Sequence, residues 1–214
     1  VGARAVIFDF GGVFIDSPFA ALVAAAVDRG LDPERMLGLI FGPYDRDTDH
    51  PWHRLERGEI TVFEARDHIM AAAVDQLGQP FDPFDLLGAL SGSEVRHEVV
   101  AFARELRDAG LRTGLLTNNA REFEEFWRPL VPVDELFDDV VDSSEVGLRK
   151  PDARIYHLSL DRLGVDASEA VFVDDAPGNV AGAERVGIRS VLIGPDRADV
   201  AAALAELRRL VSGA

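Results

Sequence analysis

No cysteine occurs among the 214 residues, which excludes disulfides, thiolate metal ligands and cysteine nucleophiles together. Cationic side chains are scarce as well: 22 Lys and Arg face 38 Asp and Glu, for a formal net charge of -16. Such a chain repels a nucleic-acid backbone, because affinity there rests on Lys and Arg neutralising phosphates, so nucleic acid is not an expected partner. No apolar run approaches the roughly 18 residues of a membrane span. The opening VGARAVIFDF carries neither the basic region nor the cleavage site of a secretory signal, so a cytoplasmic protein with no membrane partner is expected. Internal repeats and low-complexity tracts are missing too.

What remains is apolar residues and carboxylates. Hydrophobic residues make up 47% of the chain, enough for a folded core with one smaller appendage. The acidic surface raises the local cation concentration, so an anionic substrate would need a metal or local cations to approach. With thiols excluded, carboxylate chemistry around a divalent metal is the attractive route.

Short, unbroken apolar runs with β-branched residues predict buried parallel strands at Ala3 to Asp9, Leu111 to Thr117, Ala170 to Val173 and Ser190 to Ile193, with a weaker one at Asp139 to Asp142. Helical patterns lie between them at Glu94 to Ala109, Arg121 to Trp127, Ala153 to Leu163, Asn179 to Val186 and Arg197 to Val211. Alternating strands and helices predict an α/β fold, a doubly wound parallel sheet whose ligands bind beyond the carboxyl ends of the strands. Residues 18–91 break the alternation. Phe19 to Asp28, Pro33 to Phe41, Asp47 to Arg57 and Thr61 to Leu77 all suit helices, which predicts a helical cap over 18–91 inserted into a core made of 1–17 and 92–214.

Four stations follow predicted strands. Asp9 in FDFGGV precedes two glycines that let the backbone turn and approach a ligand, though by itself it suits a helix cap equally well. Thr117 and Asn118 in LLTNN can offer a hydroxyl and backbone N–H groups to an anion, or simply cap a helix. Lys150 in LRKPD puts a cation at a loop position, as many solvated lysines do. Asp174 and Asp175 in FVDDAPGN are the sharpest signal. Adjacent carboxylates repel unless a cation or proton intervenes, and magnesium takes oxygen ligands of this kind.

In this order the stations resemble the haloacid dehalogenase superfamily, from Val6 to about Gly194. HRLERGEI, LRKPDARIY and DDAPGNVAGAERVGI look like its branch of sugar-phosphate phosphatases and epoxide hydrolase phosphatase domains. The resemblance implies a Rossmann-like core and a phosphatase for a small phosphorylated metabolite, such as a sugar phosphate, in which Asp9 is the nucleophile. It also implies that Mg2+ is held by Asp9, the Gly11 backbone carbonyl and Asp175, with Asp174 in the outer shell. Thr117 and the Asn118 backbone would bind the phosphoryl oxygens, and Lys150 would neutralise charge and keep Asp9 ionised.

One departure stands out. Phosphatases resembling this chain commonly place a second aspartate two residues after the nucleophile, to protonate the leaving alcohol, and here that position is Gly11. A lost general acid typically costs about 10² to 10⁴ in rate, against accelerations of phosphate monoester hydrolysis that reach on the order of 10²¹, so activity should be dented rather than abolished. Asp16, His50 and His53 are the candidate replacements, while Phe123, Phe126 and Trp127 fit a buried helix face. The rival functions are a scaffold that binds without turnover, a metal-free 2-haloacid dehalogenase, and a phosphomutase, whose chemistry relies on the acid that Gly11 lacks.

Overall fold

The computed structural model describes residues 2–78, 80–86 and 94–213. Five parallel strands form one sheet: β1 (Ala5–Phe8), β2 (Arg112–Thr117), β3 (Asp139–Asp142), β4 (Ala170–Asp174) and β5 (Arg189–Leu192). Their spatial order is β3-β2-β1-β4-β5, so each strand expected from the sequence is present and β1 is central.

After β1 the chain leaves the sheet through α1 (Pro18–Asp28), α2 (Pro33–Phe41), α3 (Pro51–Glu56) and α4 (Val62–Leu77). The outgoing and returning segments are tied together: Ile15 and Val95 form an antiparallel bridge, and the Arg96 N–H donates to the Phe14 carbonyl at 2.8 Å. The expected return to the core at 91–92 lies outside the described residues. Local chemistry sets the helix starts. Asp32 accepts from the Arg35 N–H at 3.1 Å, and Thr61 with Glu64 forms a reciprocal capping box. The helix expected over Asp47 to Arg57 begins only at Pro51, because proline lacks an N–H and fits the first turn alone. Leu22, Met36, Leu39, Ile40, Ile69 and Ala73 give the inserted helices a core of their own.

The sheet is covered on both faces by α5 (His97–Asp108), α6 (Ala153–Leu163), α7 (Pro177–Arg185) and α8 (Arg197–Ser212). Successive residues of β1 point to opposite faces. Val6 and Phe8 pack with Phe102 of α5 and Leu204 of α8, whereas Ala5 and Ile7 pack with Ile155 of α6 and Ala183 of α7. Burial on both sides explains why the strands read as unbroken apolar runs. The helix expected over Arg121 to Trp127 is instead a 3-10 turn, Arg121–Phe123, followed by a single α turn, Glu124–Trp127, and a second 3-10 turn, Arg128–Leu130, that contains Pro129. Among the described residues no helix is long and apolar enough to cross a membrane.

Two glycines test the packing between insertion and sheet. A Cβ placed on Gly178 of α7 would stand 2.4 Å from the Tyr44 carbonyl oxygen and 3.0 Å from the Asp45 Cα, both backbone atoms of the insertion, whereas one on Gly38 of α2 meets nothing within 4 Å. Gly178→Ala should therefore lower stability by about 1–3 kcal/mol through overpacking. Gly38→Ala should raise it by about 0.5–1 kcal/mol by restricting the unfolded chain. Urea midpoints of the two variants check both signs.

Candidate active site

The chain visits β2 and β3 on one side of β1 before crossing to β4 and β5 on the other, so the sheet order reverses between β1 and β4. A crevice opens at such a point beyond the carboxyl ends of the strands. Asp9 directly follows β1, Asp174 ends β4 and Asp175 follows it, so the sheet itself delivers three carboxylates to one place. One oxygen of each lies within 4.8 Å of the others.

Lys150 reaches this cluster from the loop between β3 and α6 and is fully buried. Its Nζ lies 2.8 Å from Asp9 Oδ1 and 2.7 Å from Asp174 Oδ2. Burial alone would lower the lysine's ionisation, but the Asp174 and Asp9 charges outweigh it and hold the group above its ordinary range, so it stays an ammonium. Three carboxylates facing one ammonium leave two negative charges uncompensated. The strain is visible in the acids. Burial pushes Asp9 well above the usual carboxylate range against the pull of Lys150, and burial together with the Asp174 charge pushes Asp175 up to about 6.

Asp174 and Asp175 are held differently. Both Asp174 oxygens accept: Oδ1 from the Ala176 N–H at 2.8 Å, Oδ2 from Lys150, and each from Asn179 Nδ2 at 3.1 Å. Asp175 Oδ2 accepts from Ser17 Oγ at 2.7 Å. A hard divalent cation suits this all-oxygen donor set, with Asp9 and Asp175 nearer to hand than the saturated Asp174. Gly12 has φ of +70° and a Cβ there would stand 2.0 Å from Asp175 Oδ2, so only glycine fits. At Gly11, by contrast, a Cβ meets nothing within 4 Å, so no neighbouring side chain fills the place of the missing acid.

Thr117 ends β2, is buried, and lines the same cavity as Asp9, Gly11 and Asp175. The Asn118 side chain brackets the backbone of Lys150, donating to its carbonyl at 3.0 Å and accepting from its N–H at 2.8 Å, which leaves the Asn118 main chain as the group able to face an anion. All of the sequence-predicted site residues therefore converge. The candidate replacement acids do not: Asp16 is over half exposed and pairs with Arg96 at 3.5 Å, and neither it nor His50 nor His53 lines the cavity. His53 is buried as a neutral ring whose Nδ1 accepts from the Thr48 N–H at 3.0 Å, and burial depresses it to about 3.

The structure adds groups that the sequence did not single out. Asn179 lies five residues after Asp174 in FVDDAPGN, a spacing that puts it on the first turn of α7 and could have been read. Arg96 is buried and donates to the carbonyls of Gly12 and Pro195, steadying the turn after β1. Glu56 of α3 reaches down into the cavity wall, where Oε2 accepts from the buried Arg149 Nε at 2.7 Å and Oε1 from Trp52 Nε1 at 2.9 Å. No local pattern marks a pair 93 residues apart. Trp127 is buried and stands 4.9 Å from Phe10, and Phe123 packs against the core, as expected, although both also line the cavity; Phe126 is exposed.

Comparison with known proteins agrees with this geometry. A mouse protein named acyl-CoA dehydrogenase family member 10 is 33% identical over 92% of the chain, which spans only 18% of that protein's length. A sesquiterpene phosphatase from Aspergillus oryzae is 29% identical over 97% of the chain and 96% of its own. An L-2-haloacid dehalogenase structure superposes with a TM-score of 0.68 at 22% identity, covering 97% of this chain and all of that one, and so shares the fold. The family model for haloacid dehalogenase-like hydrolases matches residues 3–187, nearly the whole sheet and its insertion, and the chain belongs to that family.

Proposed function

We propose that the chain is a magnesium-dependent phosphatase that moves the phosphoryl group of a small phosphorylated metabolite first to Asp9 and then to water. The observation that carries this reading is the acidic trio around Lys150, with its two uncompensated negative charges. The likeness to a sesquiterpene phosphatase over nearly the full length of both chains supports the phosphoryl side. Attack on carbon, the chemistry named for the dehalogenase neighbour, calls for no such surplus of charge.

In this reading an Asp9 oxygen forms a bond to phosphorus while the ester P–O bond breaks and the alcohol oxygen leaves with the electron pair. Water then attacks the aspartyl phosphate at phosphorus, releasing inorganic phosphate and regenerating the carboxylate. Thr117 and the Asn118 main chain orient the phosphoryl oxygens, and Lys150 holds Asp9 in line by their 2.8 Å contact. Asp9, the Gly11 carbonyl and Asp175 would hold magnesium, with Asp174 outside them. The metal when bound supplies charge neutralisation for the phosphoryl oxygens.

A second reading, binding without turnover, is favoured by one observation: Gly11 supplies no proton donor and the space beside it is open. Three experiments separate the two. Asp9→Asn should fold with an unchanged circular dichroism spectrum and lower kcat for an aryl phosphate by at least about 10³, as expected when a nucleophile is removed; residual turnover near wild type would exclude Asp9. Magnesium titrations by calorimetry should find binding weakened at least about a hundredfold in Asp175→Ala and less in Asp174→Ala, because only the former loses a direct ligand; equal losses contradict the assignment. Finally, kcat across a series of esters should rise steeply as the leaving alcohol becomes more acidic, and Gly11→Asp should speed the poorest leaving groups by at least about tenfold. Once phosphoenzyme formation is shown to limit turnover, a flat series in the wild type would mean that another residue already supplies the proton.

A further inference from the structure

The cavity over Asp9 has two unlike ends. Its floor carries the polar groups described above, while its walls toward the inserted helices are Phe19, Phe41, Tyr44, Trp52, Phe123 and Trp127. Four of these rings are locked edge to face around Phe41. Phe41 stands 5.2 Å from Phe19, 6.0 Å from Tyr44 and 4.8 Å from Trp52 between ring centroids, at interplanar angles of 70°, 72° and 89°. Among the described residues the hydrogen-bonding side chains on these walls are Tyr44, Trp52, Glu56 and Trp127, of which Trp52 donates to Glu56 and the Trp127 indole N–H has no partner. A sugar would bring several hydroxyls to a surface with almost nothing to receive them, and each one left unpaired costs roughly tenfold in affinity. A flat apolar ring, by contrast, adds further edge-to-face contacts. The cavity volume of about 210 Å³ is ample, since an apolar cavity of about 150 Å³ accepts benzene.

Departure of the alcohol points the same way. Gly11 has no side chain, and Asp16, His50 and His53 lie off the cavity. Both Glu56 oxygens accept hydrogen bonds, from Arg149 and Trp52, so that group presents a carboxylate. Tyr44 is partly buried beside Glu56, and its removal from water together with the Glu56 charge holds its proton in place. The leaving oxygen must then carry its own negative charge. A phenol ionises near pH 10, like tyrosine, whereas an alkanol gives up its proton about as reluctantly as water.

We propose that the alcohol half of the substrate is an apolar aromatic ring, so that the chain hydrolyses aryl phosphates in preference to sugar and alkyl phosphates. This rests on the phosphatase reading above, and the test keeps the two apart. Acetyl phosphate has an acidic leaving group and no ring, so its magnesium-dependent hydrolysis reports phosphatase activity alone. With saturating magnesium, kcat/KM for 1-naphthyl phosphate should exceed that for glucose 1-phosphate by at least about a hundredfold. Benzylphosphonate, which cannot be hydrolysed, should compete at least about tenfold more tightly than methylphosphonate, a comparison that reads the walls without the leaving group. In Phe19→Ala that tenfold gap should close to under about threefold. If acetyl phosphate is hydrolysed but the two phosphonates bind alike, or glucose 1-phosphate matches naphthyl phosphate, the aryl assignment is overturned and the phosphatase reading stands. If none of the three esters is hydrolysed, both fall.

Discussion

A single ammonium group organises this site. Lys150 is fully buried, and an isolated charge in that position would be driven to neutrality at a cost of several kcal/mol. Asp9 and Asp174 prevent this by standing within 2.8 Å of Nζ, but they can do so only if the ends of β1 and β4 lie side by side and the loop after β3 reaches over them. The parallel sheet with its reversal between β1 and β4 meets that condition. Asn118 adds the remaining restraint, since its side chain closes two hydrogen bonds on the Lys150 backbone and fixes where the ammonium can go.

The neighbouring residue carries the same logic to the inserted helices. Arg149 is also fully buried, and its Nε is paired with Glu56 at 2.7 Å. Adjacent residues of one loop are thus held by opposite bodies, Arg149 by the insertion and Lys150 by the sheet. Removing Glu56 would leave the buried Arg149 with only the Asp47 carboxylate, 3.7 Å away, a larger loss than that of a surface ion pair. Close backbone contact at Gly178 and the apolar cluster of Leu55, Val62 and Ala65 with Ala120 complete this seam. The aromatic walls of the cavity come from both sides of it, so the character of the substrate pocket is a property of the docked pair.

Much of this was legible in the residues themselves. Strands buried on both faces leave unbroken apolar runs, which is why all five strands and the carboxylates at their ends could be placed from sequence, and why Asp9, Thr117, Lys150, Asp174 and Asp175 could be singled out together. The shorter helices were less readable. Pro51 delayed α3, where a periodic apolar pattern was overruled by a missing N–H donor, and the segment after Arg121 alternates 3-10 and α turns.

The order of strands and carboxylates is written along the chain, because period and spacing are local properties that a sequence carries without help. Tertiary structure decided what each polar group does. Asp174 and Asp175 are neighbours of identical chemistry, yet one is saturated by Lys150, Asn179 and a backbone N–H while the other faces Ser17 and the cavity. Asp16 sits close to Asp9 in sequence and yet away from the cavity, and His50 and His53 lie off it too, whereas Glu56, on the same helix as His53, lines it and pairs with a residue 93 positions distant. Burial and charge act through space, so the fate of a titratable side chain depends on which distant groups folding brings beside it.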